Sequence, residues 1–183
     1  MPNSSNPSKN GHLPLIETTV TYLEMFSLPE RAPIPAPPMK LALLKLEGPT
    51  TGYYLYLYDA VGSDWTWVNR KHMNTDELAE IIQSELVEIY VLYAGGMPAG
   101  YVELDRRSKP QIELAYFGLV PEFIGRGLGQ YFLDWAIRKA WSYGPERIWL
   151  NTCTEDHPRA LPLYQRFGFQ AYAQETIALD PNV

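Results

Sequence analysis

Pro121-Glu122-Phe123-Ile124-Gly125-Arg126-Gly127-Leu128-Gly129-Gln130 is the stretch on which the fold turns. It separates two segments of different period. Before it, residues 111–120 (QIELAYFGLV) have the apolar and aromatic content of a strand. After it, Leu128, Phe132, Trp135 and Ala136 recur at helical spacing, which predicts a long helix over 125–141. Three glycines at alternate positions mark the change. Glycine adopts positive φ and lets a ligand approach the backbone closely. The first turn of a helix carries N–H groups without partners and the positive end of the dipole. Together these features form a cradle for a phosphate or pyrophosphate, and Arg126 adds a charge. A plain strand-to-helix turn, with glycines for close packing, is the competing reading. The G-x-G-x-G spacing is not the dinucleotide fingerprint, since no βαβ unit with a downstream acid follows. It is not a P-loop either, because no Gly-Lys-Ser/Thr follows.

Outward from this turn, strands and helices alternate. Residues 18–25, 41–46, 88–93, 98–105, 147–152 and 169–179 read as further strands, with Gly95-Gly96 closing a hairpin. Residues 29–38 hold five prolines and form an extended connector. Residues 53–67 contain a short helix and a loop dense in Tyr and Trp. Thr75 is expected to cap a helix reaching about Ser84, with Leu78, Ile81 and Ile82 inward. Pro158 is expected at the first position of a helix ending near Phe167. The order of elements predicts a mixed α/β sheet with parallel and antiparallel neighbours. Residues 1–12 read as a loose tail with no apolar core for a secretory signal. The expected division is a tail, strand and connector over 1–40 and one domain over 41–183.

Composition narrows the function classes. The 183 residues are 46% apolar and 20% charged, as in an ordinary globular domain. No run approaches the roughly 20 apolar residues of a membrane helix. Fifteen basic and 21 acidic residues give a net charge of −6, with no basic block to neutralise phosphates in a row, so duplex nucleic acid is not an expected partner. Cys153 is the only cysteine, and His12, His72 and His157 lack metal-ligand spacing, so neither a disulfide nor a metal site is expected. A reducing cytoplasm fits this cysteine usage.

A second motif follows the glycine turn by about 35 residues: Ala160-Leu161-Pro162-Leu163-Tyr164-Gln165-Arg166-Phe167-Gly168-Phe169, of the form A-x-x-L-Y-x-x-x-G-F. The pair resembles the GNAT N-acetyltransferase superfamily over about residues 41–180. That family's cofactor motif, Q/R-x-x-G-x-G/A, follows a strand ending V-x-P, and its next motif carries a helix ending L-Y-x-x-x-G-F. Two departures stand out: Ile124 occupies the usual Gln/Arg position, and His157 occupies the position of an Asn that bonds the pantetheine arm.

The resemblance implies a mostly antiparallel sheet whose central parallel strands splay apart, flanked by helices. It implies acetyl-CoA as acyl donor and a primary amine as acceptor, the amine belonging to a small molecule, a protein lysine or an N-terminus. The diphosphate would rest on the N–H groups of Gly125, Arg126, Gly127, Leu128, Gly129 and Gln130. The pantetheine arm would pair with the backbone of Leu119 and Val120, with Asn151 and His157 as further contacts.

The chemistry then needs a base, an oxyanion donor and an acid. Glu113, eleven residues before Ile124, matches the catalytic Glu spacing of the histone-acetyltransferase branch, and burial beside Tyr116 and Phe117 would raise its pKa. Glu103 or water are the alternatives. The Leu119 N–H is the oxyanion candidate, and Tyr164 is the acid for the departing thiolate. The rings between Tyr53 and Trp67 suit a cationic acceptor through cation–π contact, or else fill the core. Cys153 reads as packed and Asp156 as a helix-capping neighbour. A non-catalytic acyl-CoA-binding regulatory module is the alternative function, motivated by Ile124 and His157. Oligomeric state stays open, a homodimer included.

Overall fold

The computed structural model describes residues 13–182; the expected tail over 1–12 lies outside the described residues. Seven strands form one sheet: β1 (Ile16–Met25), β2 (Leu41–Lys45), β3 (Val87–Ala94), β4 (Met97–Asp105), β5 (Gln111–Leu119), β6 (Arg147–Cys153) and β7 (Gln170–Leu179). Their spatial order is β2-β3-β4-β5-β6-β1-β7, and every neighbouring pair is antiparallel except β5–β6. Strand β1, from the segment ahead of the proline-rich connector, is an inner strand of this same sheet, paired with β6 on one side and β7 on the other.

Alternation along β3 sorts the side chains onto two faces. Val87, Ile89 and Val91 join a core with α1 (Thr51–Gly62) and α2 (Thr75–Ile82). Tyr90, Leu92 and Ala94 join a core with α3 (Leu128–Trp141) on the opposite face. The stripe on α3 is as expected: Leu128, Phe132 and Ala136 are buried, and Trp135 packs beside them half-buried. A short α4 (Ala160–Arg166) carries Tyr164 and packs against this second core.

Three helix starts differ from expectation. The α2 cap is Asn74, one residue earlier, because its side chain accepts from the Glu77 N–H while Glu77 reaches back to the Asn74 N–H, a complete capping box. Helix α3 begins at Leu128, not Gly125, because Gly125 (φ 83°) and Gly127 (φ 78°) are left-handed. Helix α4 begins at Ala160, with Pro158 in the turn before it.

The proline-rich connector crosses the sheet's α3 face and is held there by charge. Asp134 of α3, buried, accepts from Ile34 N–H (2.9 Å) and pairs with Arg138 (2.9 Å) and Arg31 (2.6 Å). A chain segment that cannot form a ladder is thus fixed by one carboxylate whose oxygens are fully used.

Candidate active site

Strands β5 and β6 are in register only over Gln111–Arg147, Ile112–Ile148 and Glu113–Trp149. Beyond Glu113 they diverge. A β-bulge in the β4–β5 ladder, between Glu103 and Leu104, lies opposite this point and lets Tyr116 face α1 while Leu114 and Phe117 face α3. The divergence opens a cleft of about 940 Å³ whose walls include β5, the ends of β1 and β6, the glycine turn, α4 and the loop after α1.

Ladder parity decides which backbone groups face the gap. Val120 donates its N–H to Ala99 O (2.9 Å), and its carbonyl accepts from Phe123 N–H (2.9 Å). Hydrogen-bonded positions alternate along an antiparallel strand. The pairs Gly118–Tyr101 and Tyr116–Glu103 therefore bond toward β4, while Leu119 and Phe117 turn their N–H and C=O groups toward the gap. The edge consists of Phe117 and Leu119; both backbone groups of Val120 are occupied. Phe117 was legible as the residue two before Leu119, since side-chain and backbone period is two.

At one end of this edge stands the glycine turn. Pro121–Phe123 forms a 3₁₀ turn, then Ile124 is extended and Gly125 and Gly127 take positive φ. Gly127 is the N-cap of α3 and offers no side chain to its first turn, so the N–H groups of Leu128, Gly129 and Gln130 have no intrahelical partner. Ile124, Gly125, Gly127, Gly129 and Gln130 line the cleft. A Cβ built on Gly125 meets nothing within 4 Å, so the space above the turn is open. Leu128 points its side chain into the core. Arg126 is exposed, its guanidinium 5.1 Å from the Phe123 ring centre.

Glu113 stands at the apex of the divergence and lines the cleft. Burial pushes its pKa up to about 7, helped by the nearby charges of Asp105 and Glu103 and opposed by Arg70 and Arg107. Among the described residues nothing hydrogen-bonds its carboxyl. Glu103 is different. It is fully buried, its two oxygens accept from Arg70 Nη2 (2.5 Å) and Tyr54 Oη (2.6 Å), and it does not line the cleft. Burial raises its carboxyl pKa, and Arg70 and Tyr54 pull it back.

Arg70 is a residue the sequence did not flag. Buried itself, it also donates from Nε to Tyr54 Oη (3.2 Å) and lies 5.1 Å from the Tyr116 ring centre. It ties the loop after α1 to β4 through Glu103 and to β5 through the Tyr116 ring. Its partners are 16, 33 and 46 positions away, so no local pattern marks it.

Tyr164 lines the cleft from α4, its ring held against Phe117 (centroids 6.4 Å) and Phe169 (6.1 Å). Burial raises its pKa, with the charge of Asp156 adding to this, so the phenol keeps its proton at neutral pH. Among the described residues its hydroxyl makes no hydrogen bond. Asn151 and Cys153 line the β6 side. Burial, then the charge of Asp156, pushes the Cys153 thiol up to about 11, which leaves it a poor nucleophile.

Asp156 caps no helix. Its Oδ2 accepts from Thr152 Oγ1 (2.7 Å) and Cys153 N–H (2.9 Å), and its Oδ1 accepts from Trp67 Nε1 (3.0 Å). His157 packs edge-on against Trp65 (4.8 Å). Its Nδ1 accepts from Arg159 N–H (3.0 Å), which leaves Nε2 as the proton-bearing nitrogen of a neutral ring. The β6–α4 loop and the loop after α1 thus meet across the cleft through Trp65, Trp67, Asp156 and His157. Of the aromatic stretch, Tyr54 is core, Tyr58, Trp65 and Trp67 line the cleft, and Tyr56 is exposed. Among the described residues no three His, Cys, Asp or Glu side chains are grouped to hold a metal.

Comparison with known proteins agrees with this geometry. Solved structures share the fold. A conserved Staphylococcus epidermidis protein superposes with a TM-score of 0.59 at 19% identity, over 92% of this chain and 64% of its own. This chain therefore spans less than two thirds of that relative's length. A Bacillus subtilis acetyltransferase in complex with CoA gives 0.56 at 24% identity, over 73% of this chain and 79% of that one. An aminoglycoside N-acetyltransferase in complex with CoA gives 0.53 at 15% identity, over 72% and 89%. No curated protein matches in sequence. The family model described as acetyltransferase (GNAT) family matches residues 54–169, from α1 to the Gly-Phe that closes the Tyr164 motif. With more than half its length matched and the splayed sheet in place, the chain belongs to the acetyltransferase (GNAT) family, a family of acyltransferase enzymes.

Proposed function

We propose that the protein moves an acetyl group from acetyl-CoA to a primary amine by direct attack. The observation that carries this reading is the unpaired edge of Phe117 and Leu119, bracketed by the glycine turn and by two ionisable groups, Glu113 and Tyr164, with opposite proton states to offer. The donor fits the cleft on three counts. Residues 125–130 form an open amide cradle for a diphosphate. Phe117 and Leu119 offer a strand edge to the amides of a pantetheine arm. Asn151 and the Nε2–H of His157 add polar contacts along it.

Each step then falls to a residue. The acceptor amine arrives protonated, since an alkylammonium has a pKa of about 10.4. Glu113 takes that proton, directly or through a water, and at a pKa of about 7 it is poised to do so at neutral pH. The amine nitrogen bonds to the thioester carbonyl carbon, and the Leu119 N–H holds the oxygen that becomes anionic. The C–S bond breaks, and Tyr164 gives its phenol proton to the thiolate. The proton still on the attacking nitrogen passes to the Tyr164 phenolate through water, so the amide leaves neutral and the phenol is restored, while Glu113 returns its proton to solvent. Cys153, with its raised pKa, takes no part, so no acyl-enzyme forms.

The acceptor half of the cleft, with Glu113 and the rings of Tyr58, Trp65, Trp67 and Tyr116, suits a cationic amine. Release of free thiol from acetyl-CoA, measured over a panel of small amines, polyamines and peptides, tests the reading. Amine-dependent release supports it. Tight CoA binding without release on any amine would favour the non-catalytic acyl-CoA-binding module.

A further inference from the structure

Nine arginines are present in the chain, and six are ion-paired: Arg31, Arg70, Arg106, Arg107, Arg138 and Arg147 each contact an Asp or Glu. Among the described residues, Arg126, Arg159 and Arg166 have no carboxylate partner. In a protein of net charge −6 this is not for want of acids. Arg159 and Arg166 share a second property: both are exposed and both line the cleft. Arg159 is the residue before α4 and Arg166 is its last residue. A separation of seven is two helical turns, which puts the two side chains on one stripe. They stand about 10 Å apart along the helix. Two long guanidinium side chains at that spacing can close on a single group between them. Glu113 lines the cleft from β5, away from α4, and the one carboxylate near the start of α4, Asp156, is taken up by Thr152, the Cys153 N–H and Trp67, so neither arginine is neutralised.

We propose that Arg159 and Arg166 form a subsite for a phosphate monoester, the 3′-phosphate of coenzyme A, separate from the diphosphate cradle of the glycine turn. The proposal rests on the coenzyme reading above. Guanidinium is matched to such a group, because it is charged at all relevant pH values and offers paired N–H donors to phosphate oxygens. A phosphate monoester carries about −1.5 to −2 charge near pH 7, more than either oxygen pair of the diphosphate bridge presents to one arginine. The subsite gives α4 two functions on two sides: Tyr164 packs inward to the sulfur, and the arginine stripe holds the far end of the same molecule.

Calorimetric titration of CoA and of 3′-dephospho-CoA into wild type, Arg159→Ala, Arg166→Ala and the double variant is the test. The readout is the affinity ratio of two ligands on one preparation, so any loss of folded protein cancels. Wild type should prefer CoA by about 10- to 100-fold. Each single variant should lose part of that preference, and the double variant should bind both ligands alike, at the wild-type affinity for 3′-dephospho-CoA. A double variant that keeps the preference overturns the subsite. So does one that weakens both ligands equally, since the arginines would then serve the diphosphate. Wild type binding both ligands with equal affinity overturns the subsite alone, whereas wild type binding neither overturns the coenzyme reading with it.

Discussion

Glu113 and Tyr164 differ in what burial does to them. Burial favours the neutral form of both, but a carboxyl raised to about 7 is half-ionised at neutral pH, whereas a phenol raised above its ordinary 10 stays protonated. One cleft thus holds a group able to accept a proton beside a group able to give one. Tyr164→Phe keeps the ring contacts with Phe117 and Phe169 and removes only the hydroxyl. It should lower kcat by about 10²- to 10⁴-fold while CoA binds as before, as steady-state kinetics and calorimetry would read. Unchanged kcat would remove Tyr164 from the reaction. For Glu113 the active form is the anion, so wild-type kcat/KM should rise as pH increases through about 7. Glu113→Gln should lose that limb, and a variant with the limb intact would pass the base role to water.

The same shift has a cost in stability. The folded-state pKa lies above the unfolded value of 4.5, so the folded protein holds this proton more tightly than the unfolded chain. That stabilisation is full below pH 4.5 and is lost as pH rises through about 7. At about pH 8, Glu113→Gln should therefore be more stable than wild type by about 1–3 kcal/mol, and the gap should narrow at about pH 5. Denaturant titrations at the two pH values check the sign.

At the scale of elements, the loop after α1 is held to the sheet by a buried ion pair. Arg70 bridges Glu103 of β4, Tyr54 of α1 and the ring of Tyr116 on β5. Removing one partner of such a pair strands the other charge, at about 3–5 kcal/mol. Arg70→Met should destabilise by that amount in urea unfolding, and Arg70→Met with Glu103→Leu should recover much of it. If the single variant costs under about 1 kcal/mol, the pair is not what fixes the loop. This element also marks the limit of reading from sequence. Short-period signals were legible: the α3 stripe, the Gly95-Gly96 hairpin, the glycine turn with its positive φ values. The capping box at Asn74 was written there too, in Glu77 three residues on, but Thr75 is by residue type an equally good cap. Arg70 was not legible, because its meaning lies wholly in residues brought to it by the fold. Asp156 looked like a capping residue next to Pro158, yet its oxygens serve β6 and Trp67, a contact across 89 positions.

Across the whole molecule, the sheet depends on a strand from the far end of the chain. Strand β7 pairs with β1, and β1 with β6, so β1 is the link between the splayed pair and the last strand. Thr18 and Val20 of β1 and Ile177 and Leu179 of β7 also line the cleft. The 18–25 strand was legible from its β-branched residues; its place between β6 and β7 was not, since pairing between strands so far apart in the chain leaves no local trace. Deleting residues through Met25 should cost soluble expression and cooperative unfolding. A truncated protein that still melts cooperatively would show that β7 finds another partner.

The mechanism requires coenzyme A to lie across the opened edge of β5, and a crystal structure with CoA bound tests that directly. The expected map has the diphosphate on the amides of residues 125–130. The pantetheine arm should pair with Phe117 and Leu119, and the sulfur should come within hydrogen-bond reach of the Tyr164 hydroxyl. CoA bound elsewhere, or in the cleft with its sulfur away from Tyr164, would contradict it.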